Sequence, residues 1–347
     1  MKALVLLAFG LFLAGCSTTP SDVLQTTVPP PLETENYAAL VVDATSGKTL
    51  YQVNASAYRY PASLTKMMTL YMVFENLSSG RLSLASELPV SRHCASQAPS
   101  KLGLKAGTTI DVDSAINAIA VKSANDAACA VGEYLGGGSE DRFAELMTAR
   151  AHSIGMANST FRNASGLPDP DQRVTARDMA TLGIALRRRF PQHFGRFSAR
   201  SFAFHGREIR GHNHLLGRVE GVDGIKTGYI RASGFNIVTS VSRRGKRLIV
   251  VVMGGKSGRE RDAHVEALIE RFLPGLGARP APVIAAPRPI ETAAPAILED
   301  GDLPGVGAAS PPASGASQAP SQPESVPSAS NLPAGPADMG DGFDTAD

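Results

Sequence analysis

Three short stretches of this 347-residue chain carry residue types suited to acyl chemistry, and each has a plainer explanation when taken alone. In PASLTKMM (61–68), Ser63 precedes Lys66 by three positions. Residues three apart share a helix face, so a hydroxyl and an ammonium would meet there. A serine hydroxyl is a weak nucleophile until a neighbour takes its proton. A lysine can take it only when neutral, a state favoured by burial and by a second nearby cation. The plainer account is a capping serine beside a lysine whose stem lies on apolar surface. About one S-x-x-K match is expected by chance in a chain of this length.

The second stretch, Ser123-Ala124-Asn125, falls between two helical patterns. Its hydroxyl would relay a proton to a leaving amine, and its amide would hold Lys66 and a substrate backbone. Alone it reads as a polar turn with a helix cap. The third, Lys226-Thr227-Gly228, lies in the strand-like run GVDGIKTGYI (221–230). Lysine and threonine there would offer a cation and a hydroxyl to a carboxylate. Glycine in a strand marks close approach by another backbone or a ligand, or simply a bulge.

Positioning these residues requires a framework, and the body of the chain, 36–278, supplies a legible one. Residues 37–54 read as a hairpin around Ser46-Gly47, followed by a helix from Ser63 to about Leu77. Helical patterns then cover 111–123, 125–135, 140–155 and 175–190, the last with Thr175 and Asp178 spaced as in a capping box. Strands return at 221–230 and in a hairpin over 234–255, and a helix over 261–273 closes the body. Strands at both ends with helices between predict an α+β fold, one antiparallel sheet built from both termini and covered by helices.

The ends differ in composition. MKALVLLAFGLFLAG (1–15) has the form of an export signal, too short to span a bilayer. LAGC (13–16) resembles a lipoprotein signal, which implies lipid on Cys16 as the membrane anchor. Ser17 after that cysteine is similar to the outer-membrane pattern of families that sort lipoproteins. Residues 16–35 form a Thr/Pro-rich spacer. Residues 279–347 are Pro/Ala/Ser-rich, with nine acidic and two basic residues, and are expected to stay disordered. The remaining chain is basic, which suits an anionic polymer or simply a solvated surface. Cys94 and Cys129 are too few for a disulfide framework, and spacing does not decide whether they pair. His212 and His214 come nearest to metal-ligand spacing, and no metal site is expected.

S-x-x-K, S-x-N and K-T-G in this order form the signature shared by penicillin-binding proteins and class A β-lactamases. With the flanks YPASLTKMMT, VKSANDAA, NASGLPDPDQRVTARDMA, GVDGIKTGY and VVVMGG, residues 36–275 resemble the low-molecular-weight penicillin-binding proteins, the serine D-alanyl-D-alanine carboxypeptidases. The resemblance implies a β-lactamase/transpeptidase-like fold: a five-stranded antiparallel sheet with helices on both faces, plus a helical subdomain, with the site in the cleft between. It implies that Ser63 attacks the D-Ala-D-Ala bond of peptidoglycan stem peptides with Lys66 as base, and that Ser123 and Asn125 act as above. Lys226 would lower the pKa of Lys66 and, with Thr227 and Gly228, meet the terminal carboxylate. The N–H groups of Ser63 and Tyr229 would form the oxyanion hole, and Arg261 would stand near the carboxylate. No cofactor, metal or nucleic acid is implied, and β-lactams would be covalent inhibitors.

Two departures stand out: Tyr229 where many relatives have histidine, and His212 where a relative has arginine. The segment FRNASGLPDPDQR holds no E-x-x-L-N element, so the glutamate that deacylates class A β-lactamases has no counterpart and a bound penicillin should persist. The alternatives are a DD-endopeptidase acting on cross-linked peptides, and a non-catalytic lipoprotein that binds peptidoglycan.

Overall fold

The computed structural model describes residues 28–275. Cys16, the 1–15 leader and the 279–347 tail lie outside the described residues. Strand β1 (Ala38–Asp43) pairs with β2 (Thr49–Val53) as the expected hairpin. A single 3-10 turn at Ala62–Leu64 leads into α1 (Thr65–Ser78). Then come β3 (Glu87–Pro89), α2 (Arg92–Ser96), β4 (Thr109–Asp111) and α3 (Val112–Asn117). Helices α4 (Asn125–Leu135), α5 (Glu140–Ser153), α6 (Ala176–Arg189) and α7 (Pro191–Phe194) follow. The chain returns through β5 (Ser201–Phe204), β6 (Arg207–Arg210), β7 (Val222–Ile230), β8 (Gly234–Arg243) and β9 (Lys246–Gly255), and closes with α8 (Gly258–Phe272).

Five strands form one antiparallel sheet in the order β2-β1-β9-β8-β7, so both chain ends of the body contribute to it. Strand β1 is apolar without alternation because both of its faces are covered. Ala38, Leu40 and Val42 join a core with Met67, Leu182, Ile249 and Val251, on the side of α1 and α6. Ala39 and Val41 join Ile237, Val250 and Val252 beneath Val265, Leu268 and Ile269 of α8. Each such aliphatic side chain, fully withdrawn from water, contributes roughly 1.5–3 kcal/mol. Helices on both faces of a five-stranded sheet are the expected architecture. Helices α4 and α5 pack against α1, and α3 packs against α4, as the helical part.

Several local features depart from the expectation. The strand pair β3–β4, the hairpin β5–β6 and helix α2 are too short to show periodicity in sequence. The 111–123 helix is α-helical only to Asn117, then widens to a π-helical turn over Ala118–Lys122. Helix α8 starts before Arg261 because the Ser257 hydroxyl accepts the Glu260 N–H (3.0 Å). At α6 the Thr175 hydroxyl accepts the Asp178 N–H (3.0 Å), while the Asp178 carboxylate turns to Asn158 and Ser159 instead of closing a box. Cys94 of α2 and Cys129 of α4, left open by spacing, form a buried disulfide. Among the described residues, no helix is long and apolar enough to cross a membrane.

Candidate active site

The turn carrying Ser63 is bolted to the sheet. The Asn236 amide of β8 donates to the carbonyls of Tyr60 (3.0 Å) and Pro61 (3.2 Å), and its oxygen accepts the Gly254 N–H (3.0 Å). Ala62 holds a left-handed backbone, φ +50°, a conformation that costs a residue with a side chain on the order of 1 kcal/mol. Strain of this kind persists where surrounding contacts over-determine it. Gly166 presses on the same turn: a Cβ there would lie 1.8 Å from the Ala62 carbonyl oxygen.

Lys66 follows one helical step after Ser63 and is fully buried. Its Nζ donates to Ser63 Oγ (3.2 Å), Asn125 Oδ1 (2.6 Å) and the Ser165 carbonyl (2.5 Å). Burial pushes its pKa well below the ordinary lysine range, and Lys226 pushes the same way against Glu140 and Asp126. The depressed pKa favours loss of one of these protons, and the neutral amine can keep donating to Asn125 and Ser165 while its lone pair faces the Ser63 hydroxyl.

The second motif follows from the end of the π-helical turn. Ser123 caps that turn in the left-handed region, φ +61°, and its buried hydroxyl has no partner among the described residues. Asn125 is fixed at both ends, its backbone N–H on the Ser100 carbonyl (2.7 Å) and its Nδ2 on the Ala98 carbonyl (2.8 Å). That loop is itself held by Asp126, whose carboxylate accepts the N–H groups of Leu102, Gly103 and Leu104 at 2.8–3.0 Å.

Lys226, Thr227 and Gly228 lie on β7, the edge of the sheet. Burial, reinforced by Arg261, brings the Lys226 pKa down to about 7, and its Nζ donates to the Thr227 carbonyl (2.9 Å). Tyr229 is exposed and stacks on Phe235 at 4.3 Å between ring centroids. Arg261 is buried: its guanidinium donates twice to Asp262 Oδ1 (2.6 and 2.9 Å) and once to the Asn236 carbonyl (3.1 Å). Three of its five N–H groups are therefore committed within the protein.

Ser63, Ser123, Asn125, Thr227, Gly228, Tyr229 and Arg261 line one cleft of about 440 Å³. Lys66 and Lys226 are buried beside it. His212 and His214 complete one wall. Burial, then Lys226, Lys122 and His214, lower the His212 pKa below its usual value, so the ring is neutral at pH 7. Sequence reasoning missed the Ser165 carbonyl, the Asn236 amide and the Asp126 carboxylate. Only the Asx-turn pattern around Asn163 and Gly166, whose N–H donates to Asn163 Oδ1 (2.7 Å), gave a local signal for the Ser165 loop.

Known proteins resemble this chain in sequence and fold. A model of the family described as D-alanyl-D-alanine carboxypeptidase matches residues 24–257. D-alanyl-D-alanine carboxypeptidase DacA of Escherichia coli K12 is 33% identical over 255 residues, covering 71% of this chain and 62% of its own length. The chain thus spans less than two thirds of that relative. Among solved structures, penicillin-binding protein 5 of Haemophilus influenzae is 32% identical with a TM-score of 0.66, covering 70% of this chain and 72% of that one. Penicillin-binding protein D2 of Listeria monocytogenes, in an ampicillin-bound form, is 30% identical with a TM-score of 0.60, covering 70% and 98%. The expected β-lactamase/transpeptidase-like fold is the one found. With the family model matched over residues 24–257, a span that contains all three motifs, the chain belongs to the D-alanyl-D-alanine carboxypeptidase family.

Proposed function

We propose that the protein is a serine-type carboxypeptidase that removes the terminal D-Ala of peptidoglycan stem peptides through an acyl-enzyme on Ser63. The observation that carries this reading is the buried Lys66 Nζ, 3.2 Å from Ser63 Oγ and with its pKa depressed toward the neutral amine. Neutral Lys66 takes the Ser63 proton as Oγ attacks the penultimate carbonyl carbon. The developing oxyanion sits on the N–H groups of Ser63 and Tyr229. The C–N bond then breaks as Ser123 gives its proton to the departing D-Ala amine and takes one from protonated Lys66, which leaves Lys66 neutral again to activate the hydrolytic water. Water hydrolyses the ester to release the shortened peptide and restore Ser63.

Lys226 and Thr227 receive the terminal carboxylate, with Arg261 strengthening the positive field from behind. β-Lactams offer the same carbonyl and carboxylate and acylate Ser63 in its place, with no glutamate to speed their release. The leader directs export and is cleaved before Cys16, whose lipid then holds the enzyme in the cell envelope, facing the periplasm, with the outer membrane as the favoured site. Mass analysis of digested muropeptides tests the substrate. Conversion of pentapeptides to tetrapeptides with release of D-Ala is expected. Cleavage of cross-linked dimers alone would replace this reading with an endopeptidase.

A further inference from the structure

Glu140 stands at the start of α5, directly after the capping Ser139, with a side chain only 10% exposed. It leans back across α4, where Gly132 leaves room: a Cβ at 132 would lie 3.3 Å from Glu140 Cγ. One carboxylate oxygen accepts the Ala164 N–H (2.9 Å), and the other meets His93 Nε2 (3.0 Å). The segment it grips reaches the active site. The Ala164 carbonyl accepts the Thr69 hydroxyl (2.6 Å), and the next carbonyl, Ser165, accepts Lys66 Nζ (2.5 Å). The N–H held by Glu140 and the carbonyl used by Lys66 thus belong to consecutive residues. The same carboxylate also opposes, through its charge, the burial and the Lys226 field that depress Lys66.

We infer that Glu140 is a positioning residue for acyl transfer: it fixes the Ala164–Ser165 backbone that holds Lys66 against Ser63. None of the three motifs contains it, and it does not touch the cleft that holds the nucleophile. It acts from a separate cavity of about 400 Å³, where His93 of α2, Glu133 of α4, Asp141 of α5 and Arg162 face it. The inference rests on Lys66 being the base. A peptide plane displaced by an ångström at such a contact costs about 100-fold in rate.

The test compares Glu140→Gln with Glu140→Ala in the full chain, reading acylation by a fluorescent penicillin against pH alongside thermal melting. Gln keeps an oxygen for the Ala164 N–H but removes the charge. It should slow maximal acylation by less than about tenfold and move the acid limb of the profile to lower pH, since a charge that raises the Lys66 pKa is gone. Ala removes both contacts and should slow acylation by roughly 10–100-fold. Wild-type rates and an unmoved acid limb in both variants would overturn the inference. So would an unmoved acid limb in a folded Gln variant that melts lower, which is the mark of a merely structural role. No label on the wild type would overturn the base assignment, and this inference with it.

Discussion

Gly228 of β7 lies against the backbone of Ser63: a Cβ at position 228 would stand 3.0 Å from the Ser63 nitrogen and 3.1 Å from the Pro61 carbonyl oxygen. That Cβ would crowd the Ser63 N–H, which the proposed mechanism uses to hold the oxyanion. Gly228→Ala should therefore slow acylation by roughly 100-fold or more, with a melting temperature lowered by only a few degrees. Stopped-flow acylation and thermal melting check it, and undiminished acylation would remove Gly228 from the oxyanion site.

Ser123 combines a left-handed backbone with a buried hydroxyl that has no partner among the described residues, so its native conformation is retained at a cost. Ser123→Gly relieves the backbone and should stabilise the protein by roughly 1 kcal/mol. Loss of the hydroxyl should slow turnover by about 100-fold or more. Denaturant melts and D-Ala release measure the two effects separately. A variant less stable than wild type would contradict the strain argument.

Lys226 should likewise trade stability for binding. Its folded pKa, about 7, lies below the ordinary lysine value of 10.5, so the unfolded chain binds a proton that the folded chain resists. Stability is therefore lost as pH falls from 10.5 toward 7, and the loss levels off below that. Lys226→Met should raise stability at pH 7 by on the order of 2–4 kcal/mol, with the gain shrinking toward pH 10.5. The same variant should acylate poorly with penicillins, whose carboxylate loses its cation. Equal melting temperatures across that range would contradict the assignment.

The Cys94–Cys129 bridge closes a loop with a sequence separation of 35 and ties α2 to α4, the helix that begins at Asn125. Replacing both cysteines with alanine should cost roughly 2–4 kcal/mol of stability and leave penicillin labelling in place below the lowered melting temperature. Calorimetry with labelling at a fixed lower temperature checks both halves.

Much of the site was legible because its chemistry is carried by side chains in short motifs. Ser63 with Lys66, Ser123 with Asn125, and Lys226 through Gly228 each announce a proton acceptor, a donor or a close approach. The long helices and the β7–β9 strands were legible for a related reason, since their apolar periodicity runs over ten residues or so. What stayed hidden is carried by backbone or by distance. The Ser165 carbonyl has no residue signature, and the Asn236 amide is one of several polar residues in its strand, beside Thr239, Ser240 and Ser242. Pairing of Cys94 with Cys129 depends on how α2 meets α4, which spacing does not encode. Arg261 is named by its position after the last strand, but its commitment to Asp262 appears only when both are buried together.

Mass analysis of the intact protein after incubation with benzylpenicillin tests the central claim most directly. The account predicts one long-lived penicilloyl adduct, mapped by peptide digestion to Ser63 and absent from Ser63→Ala. An unmodified wild-type protein, or the same adduct persisting in Ser63→Ala, would contradict it.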